Sequence, residues 1–95
     1  MITPKKEHIK LYLSLFDEKL QDDILQEECA ELIKALSKVK REVHNDYTMK
    51  NLIEEISHVL ISLNMVCEIH GISDSEIENE FDKKYIKYTN CVMEV

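Results

Sequence analysis

Ninety-five residues with a formal net charge of −7, 44% of them hydrophobic and 33% charged, describe one small folded domain rather than a disordered chain. The acid excess argues against a nucleic-acid polymer held through clustered Lys and Arg, and no apolar run approaches the roughly 20 residues of a membrane span. One Gly, one Pro and no Trp leave so few breakers that the chain is expected to be all-α, with about four long helices joined by short links.

From the N-terminus, Thr3-Pro4 reads as an N-cap followed by a first-turn proline. Ile9, Leu13, Phe16 and Leu20 then recur at helical spacing, which predicts a first helix over about residues 4–19. Gln21-Asp22-Asp23 is a polar break, and Asp23 with Gln26 has capping-box spacing. A second helix is expected over 23–42. At about 100° per residue, Ile24, Leu25, Cys29, Leu32, Ala35, Leu36 and Val39 fall in one broad arc, and Glu28 falls inside it. Glu31 lies at the edge of that arc.

Residues 43–48 form the central loop, with Thr48 as the N-cap of a third helix over 49–70. This helix is apolar almost all round, which places it centrally in its bundle. Gly71 closes it as a C′ glycine. Ser73 and Glu76 make a capping box for a fourth helix over 74–89, with Ile77, Phe81, Lys84, Tyr85 and Tyr88 on related faces and a frayed or docking tail after it. No linker or internal repeat interrupts the chain, so residues 1–95 read as a single domain. A chain this short buries a limited share of its surface, and oligomerisation is a natural completion of its core.

Cys29, Cys67 and Cys91 show no CxxC and no Cys/His zinc spacing. Cys29 and Cys67 read as small buried thiols on helices, and a reducing, cytoplasmic setting is expected. The opening MITPKKEHIK has no apolar core of a signal peptide, and none is expected.

Two acid clusters need a chemical explanation. Glu27-Glu28-Cys29-Ala30-Glu31 lies on the second helix and Glu54-Glu55-Ile56-Ser57-His58 on the third. Glu28 projects into an apolar arc, and Glu55 projects beside Val59 and Val66. A carboxylate moved into such a setting costs several kcal/mol unless it is protonated, paired or bound to a metal. Acids three residues apart share a helix side. Paired carboxylates supply the hard oxygen ligands that Mg²⁺ requires, leaving further positions for water and phosphate oxygens.

Glu-Glu-x-x-Glu followed after a loop by Glu-Glu-x-x-Asp, on apolar helices, is the pattern of the all-α nucleoside triphosphate pyrophosphohydrolases, the MazG-like and dimeric dUTPase-like superfamily. The chain resembles that family over about residues 22–88. The first half, within EECAEL, is complete; in the second half His58 stands where the family has Asp. The resemblance implies helical hairpins assembling into a four-helix-bundle core, as a homodimer or tetramer. It implies divalent-metal-dependent hydrolysis of a (d)NTP to a (d)NMP and pyrophosphate. By position, Glu28, Glu31, Glu55 and His58 match metal ligands, and Glu27 and Glu54 match the first acid of each motif, which orients ligands or water. Lys84, Lys87 and Tyr88 lie where the family contacts phosphate or base, with Asp82 and Lys83 in the same region. Mg²⁺ is the implied cofactor. Imidazole is a poor ligand for Mg²⁺ and a good one for Mn²⁺, Fe²⁺ or Zn²⁺, so His58 brings Mn²⁺ into consideration and makes weakened or altered catalysis, or a retained binding role alone, an expectation.

Two other readings fit the same residues. One is a non-catalytic nucleotide- or metal-binding homologue, or a helical interaction module, motivated by His58. The other is a di-metal carboxylate bundle, because Glu55-Ile56-Ser57-His58 is a Glu-x-x-His motif.

Overall fold

A computed structural model describes residues 2–41 and 45–93. Among the described residues the chain is all-α, with α1 (Lys6–Leu15), α2 (Gln21–Arg41), α3 (Asp46–His70) and α4 (Asp74–Met93), and a single 3₁₀ turn (Glu18–Leu20) leading into α2. None of these helices is long and apolar enough to cross a membrane.

The first helix is shorter at both ends than its periodicity predicts. Lys5, not Thr3, is its N-cap, and its side chain makes no cap hydrogen bond. At the other end Phe16 is extended, with φ −119° and ψ 152°. Asp17 then accepts a hydrogen bond from the Lys19 N–H at 3.0 Å and starts the 3₁₀ turn. The break therefore falls at 16–17, ahead of the polar residues 21–23. These belong to α2 itself, so Asp23 lies inside the helix and caps nothing. Buried Gln21 ties the junction by donating from Nε2 to the Asp17 carbonyl at 3.0 Å.

α2 and α3 form the hairpin that dominates the packing, and α1 leans on the other side of α3. The two hairpin helices are antiparallel: His70, the last residue of α3, pairs with Asp22 at the start of α2 at 2.9 Å. Ala35 on α2 is fully buried, and Val59 and Met65 on α3 and Ile9 on α1 are buried. A residue as small as Ala35 lets the two backbones approach closely at that level. Three positive residues close α2: Lys38, Lys40 and Arg41 lie in its last turn, where the helix dipole favours cations.

α3 starts three residues before its predicted boundary. Asn45 is the N-cap, and Thr48 sits at the third helical position. The Asn45 side chain accepts from the Thr48 N–H at 2.9 Å, while Thr48 Oγ1 accepts from the Asn45 N–H at 3.2 Å. Thr48 is thus part of the cap from the other side of the box, and it is fully buried. The remainder of the expected loop, Val43 and His44, and the predicted end of the second helix at residue 42, lie outside the described residues.

Gly71 ends α3 in the left-handed region at φ 66°, which costs a glycine nothing. The Ile72 N–H returns to the Cys67 carbonyl at 2.9 Å. Ser73 and Glu76 form the expected capping box: the Ser73 N–H donates to Glu76 Oε2 at 2.8 Å, and the Glu76 N–H donates to Ser73 Oγ at 3.3 Å. α4 then continues to Met93, so Asn90–Met93 of the expected tail are helical; Glu94 and Val95 lie outside the described residues.

α4 packs closely on none of the other helices, and every residue from Asp74 to Tyr88 is exposed. The radius of gyration is 16.5 Å. A compact chain of this length has about 12 Å. The difference reflects this projecting arm. Its apolar stripe, Phe81, Tyr85 and Tyr88, is open to solvent, as is a second stripe on α2 comprising Cys29, Ile33 and Leu36. Cys29 and Leu36 were expected in the core. They sit at the edge of the apolar arc that turns away from α3, so the buried part of α2 is narrower than its hydrophobic pattern. Cys67 is half-buried and Cys91 is exposed.

Candidate metal centre

The packing of α2 against α3 fixes which acids meet. Glu28 reaches from α2, and Glu55 and His58 reach from successive turns of α3. One ligand atom from each lies within 4.8 Å of the other two. His58 Nδ1 is 3.4 Å from Glu28 Oε2 and 3.7 Å from Glu55 Oε2. The Glu55 side chain is 14% exposed, the Glu28 side chain 26% and the imidazole 51%, so the cluster has a closed inner side and an open outer one. Glu55 Oε2 is buried and has no hydrogen-bond partner among the described residues. At 3.4–3.7 Å the imidazole faces both carboxylates without making a good hydrogen bond to either.

Helical geometry accounts for this arrangement. Glu55 and His58 are three residues apart and share one side of α3. Glu28 is on the side of α2 that also carries Ala35, and Ala35 is the buried contact with α3. The antiparallel pairing brings the first half of α2 alongside the middle of α3, which is the stagger that sequence alone leaves open.

The other expected site residues are placed differently. Glu31 is exposed one turn along α2 and lies outside the three-residue cluster. Glu27 and Glu54 are exposed neighbours of Glu28 and Glu55. Lys84, Lys87 and Tyr88 are exposed on α4, where the Lys84 ammonium lies 5.4 Å from the centre of the Tyr88 ring. Because α4 does not fold back on the hairpin, these three are not brought to the carboxylates within one chain.

A feature the sequence pattern hides is an open apolar groove of about 570 Å³ between the N-terminal segment with α1 and α3, lined by Pro4, Tyr12, Ile53, Ile56, Leu60 and Ile61. At about 100° per residue, Ile53, Ile56 and Leu60 stand roughly opposite Glu55 and His58 on α3. The groove is therefore separate from the cluster. Its only trace in the sequence is that α3 is apolar nearly all round.

The donor set fits a divalent cation. Two carboxylates and an imidazole converge from two rigid helices, one carboxylate oxygen is buried without a partner, and the outer side is open for water or a phosphate oxygen. Compared with known proteins, the chain matches no family model, no curated protein and no solved structure.

Proposed function

We propose that the chain is a divalent-metal-dependent nucleoside triphosphate pyrophosphohydrolase, converting a (d)NTP and water to a (d)NMP and pyrophosphate. The observation that supports it most is the meeting of Glu28, Glu55 and His58, which the family resemblance matches to metal ligands. A polyanionic triphosphate does not approach a chain of net charge −7 unaided. Glu28, Glu55 and His58 would hold a divalent cation, which would supply that attraction and neutralise charge on the phosphate oxygens. In this reading Glu31, exposed on the same helix and outside the cluster, joins at the rim once substrate arrives. Glu27 and Glu54 are exposed carboxylates beside the ligands, able to orient the attacking water and accept its proton. The pyrophosphate leaving group departs toward the open side.

The same reading includes a homodimer or tetramer. Few apolar residues are fully buried in one chain, and Ile33, Leu36, Phe81 and Tyr85 remain exposed. Packing hairpins into a four-helix core covers such stripes. In that assembly Lys84, Lys87 and Tyr88 contact nucleotide from another chain's α4. Within the cell the protein acts on free nucleotides in the cytoplasm.

The test is pyrophosphate release from a panel of nucleoside triphosphates with Mg²⁺ or Mn²⁺, with Glu55→Gln as the control that removes one ligand charge. A non-catalytic relative shows nucleotide-dependent thermal stabilisation without turnover, and in that case His58→Asp restores turnover. A specific observation also favours a second reading: Glu28 faces Glu55-x-x-His58, which is the half-set one hairpin contributes to a di-metal carboxylate bundle. Stoichiometric iron that is oxidised by O₂ distinguishes that protein from a hydrolase.

A further inference from the structure

We infer that α4 is a self-docking surface: two copies of the chain pair through this helix, antiparallel and about a two-fold axis, with Phe81 and Tyr85 at the centre of the seam. The contact is independent of the carboxylate cluster and of the hairpin packing of the proposed function.

Three of the six aromatic residues of the chain stand on α4. At about 100° per residue, Ile77, Phe81, Tyr85 and Tyr88 fall within an arc of about 80°. All four are exposed, Phe81 at 66% and Tyr85 at 71%, on a helix that packs closely on no other element of its own chain. Aromatic side chains gather at the cores of interfaces, and a contiguous exposed stripe of them marks a surface that is covered by something.

Charge identifies what covers it. Asp74, Glu76, Glu78, Glu80 and Asp82 all precede Lys83, Lys84 and Lys87; no cation comes before position 83 of the helix and no acid follows position 82. The helix is thus acidic in its first half and basic in its second. Parallel pairing of two copies sets like charge on like. Antiparallel pairing centred near residue 83 sets each acidic half on a basic one. In that register Phe81 of one copy lies opposite Tyr85 of the other, and Ile77 lies near Tyr88. Glu80 then faces Lys84 and Lys87 of the second copy, which share its side of the stripe. Asp82 stands about 100° from the centre of the stripe, outside the seam. Within one chain Glu80 pairs with Lys83 at 2.9 Å, but both side chains are about 70% exposed, so this weak pair does not keep Glu80 from a second copy. A surface complementary to itself in this way gives an isologous contact that closes at two copies. An anionic membrane surface fits worse, because Asp74 and Glu78 border the stripe and are repelled by it.

The test is a charge exchange on the full chain, followed by sedimentation equilibrium. Glu80→Lys alone, and Lys84→Glu with Lys87→Glu in a second variant, each place like charges across the seam twice per pair. Each is expected to self-associate at least about tenfold more weakly than wild type. An equal mixture of the two restores opposite charges at both contacts and is expected to recover the wild-type affinity, which also shows that neither variant is misfolded. Orientation is read from pulsed electron-spin distances between labels on Cys91, with Cys29→Ser and Cys67→Ser. Antiparallel helices centred near residue 83 put the two Cys91 positions about 25 Å apart along the seam; parallel helices put them about 10 Å apart. A wild type that sediments as monomer at every concentration, a mixture no more associated than its components, or labels at the parallel distance overturns the inference. Each of these leaves the hydrolase reading standing, because that reading is decided by pyrophosphate release.

Discussion

His58 Nδ1 stands 3.4 Å from Glu28 Oε2, across the interface between α2 and α3. The contact joins the two halves of the acid pattern. It also places a half-exposed ring over Glu55, whose Oε2 has no hydrogen-bond partner among the described residues. An unpartnered buried oxygen destabilises a small domain, so the cluster costs the fold stability as it stands.

Glu55→Leu should therefore raise the stability of the metal-free protein, by about 1–3 kcal/mol. In a domain of this size that is a rise in Tm of at least about 4 °C, read by thermal denaturation in chelator. The same variant should show no metal-dependent stabilisation. A fall in Tm in chelator would mean that Glu55 already has a satisfactory partner.

Ala35 is fully buried on α2 about two turns from Glu28. Ala35→Leu should cost about 1–3 kcal/mol through overpacking. It should also weaken metal binding by separating Glu28 from the α3 ligands, measured by calorimetry under conditions where the variant is folded. Loss of stability with unchanged affinity would show that the ligand spacing does not depend on this contact.

Glu76 titrates as part of the α4 cap. Hydrogen bonds from the Ser73 N–H and then the Ser73 hydroxyl hold its carboxyl below the ordinary value of 4.5. Its folded-state value is thus depressed, so its stabilisation of the cap is present above the ordinary value and lost as pH falls through the lower one. Amide shifts of Ser73 and Glu76 followed by NMR across acid pH should show the cap opening below 4.5. In Glu76→Gln the midpoint should disappear.

α4 carries Phe81 and Tyr85 in the open. If they complete a bundle between chains, Phe81→Ser with Tyr85→Ser should shift sedimentation toward monomer at concentrations where the wild type is associated. Under the proposed function pyrophosphate release should fall with it, since Lys84, Lys87 and Tyr88 are not brought to the carboxylates within one chain. Unchanged association would assign the stripe to some other contact.

Much of this architecture is visible in the residues. Gly71 and the Ser73–Glu76 box mark the turn between α3 and α4 because each has one local conformational use. The projection of Glu28 into an apolar arc follows from helical periodicity alone. What periodicity does not carry is the partner of each face. Cys29 and Leu36 belong to the apolar arc of α2 but not to the part that α3 covers, and the stripe on α4 is amphipathic without a neighbour in its own chain. Asn45 was hidden behind Thr48 because either could cap α3, and only the reciprocal hydrogen bonds separate their roles. In the same way, stagger decides that Glu28 meets His58 while Glu31 stays outside the cluster. The proposed nucleotide chemistry comes from the family resemblance rather than from any of these local rules.

The most direct test of the account is chromatographic identification of the products from a nucleoside triphosphate panel incubated with the intact protein and Mn²⁺. The account predicts a nucleoside monophosphate and pyrophosphate in equal amounts from at least one substrate, and a loss of at least about a hundredfold in rate for Glu55→Gln, the scale of removing a group that stabilises charge at the reacting centre. Release of inorganic phosphate and a diphosphate instead, or a rate indifferent to Glu55→Gln, would contradict it.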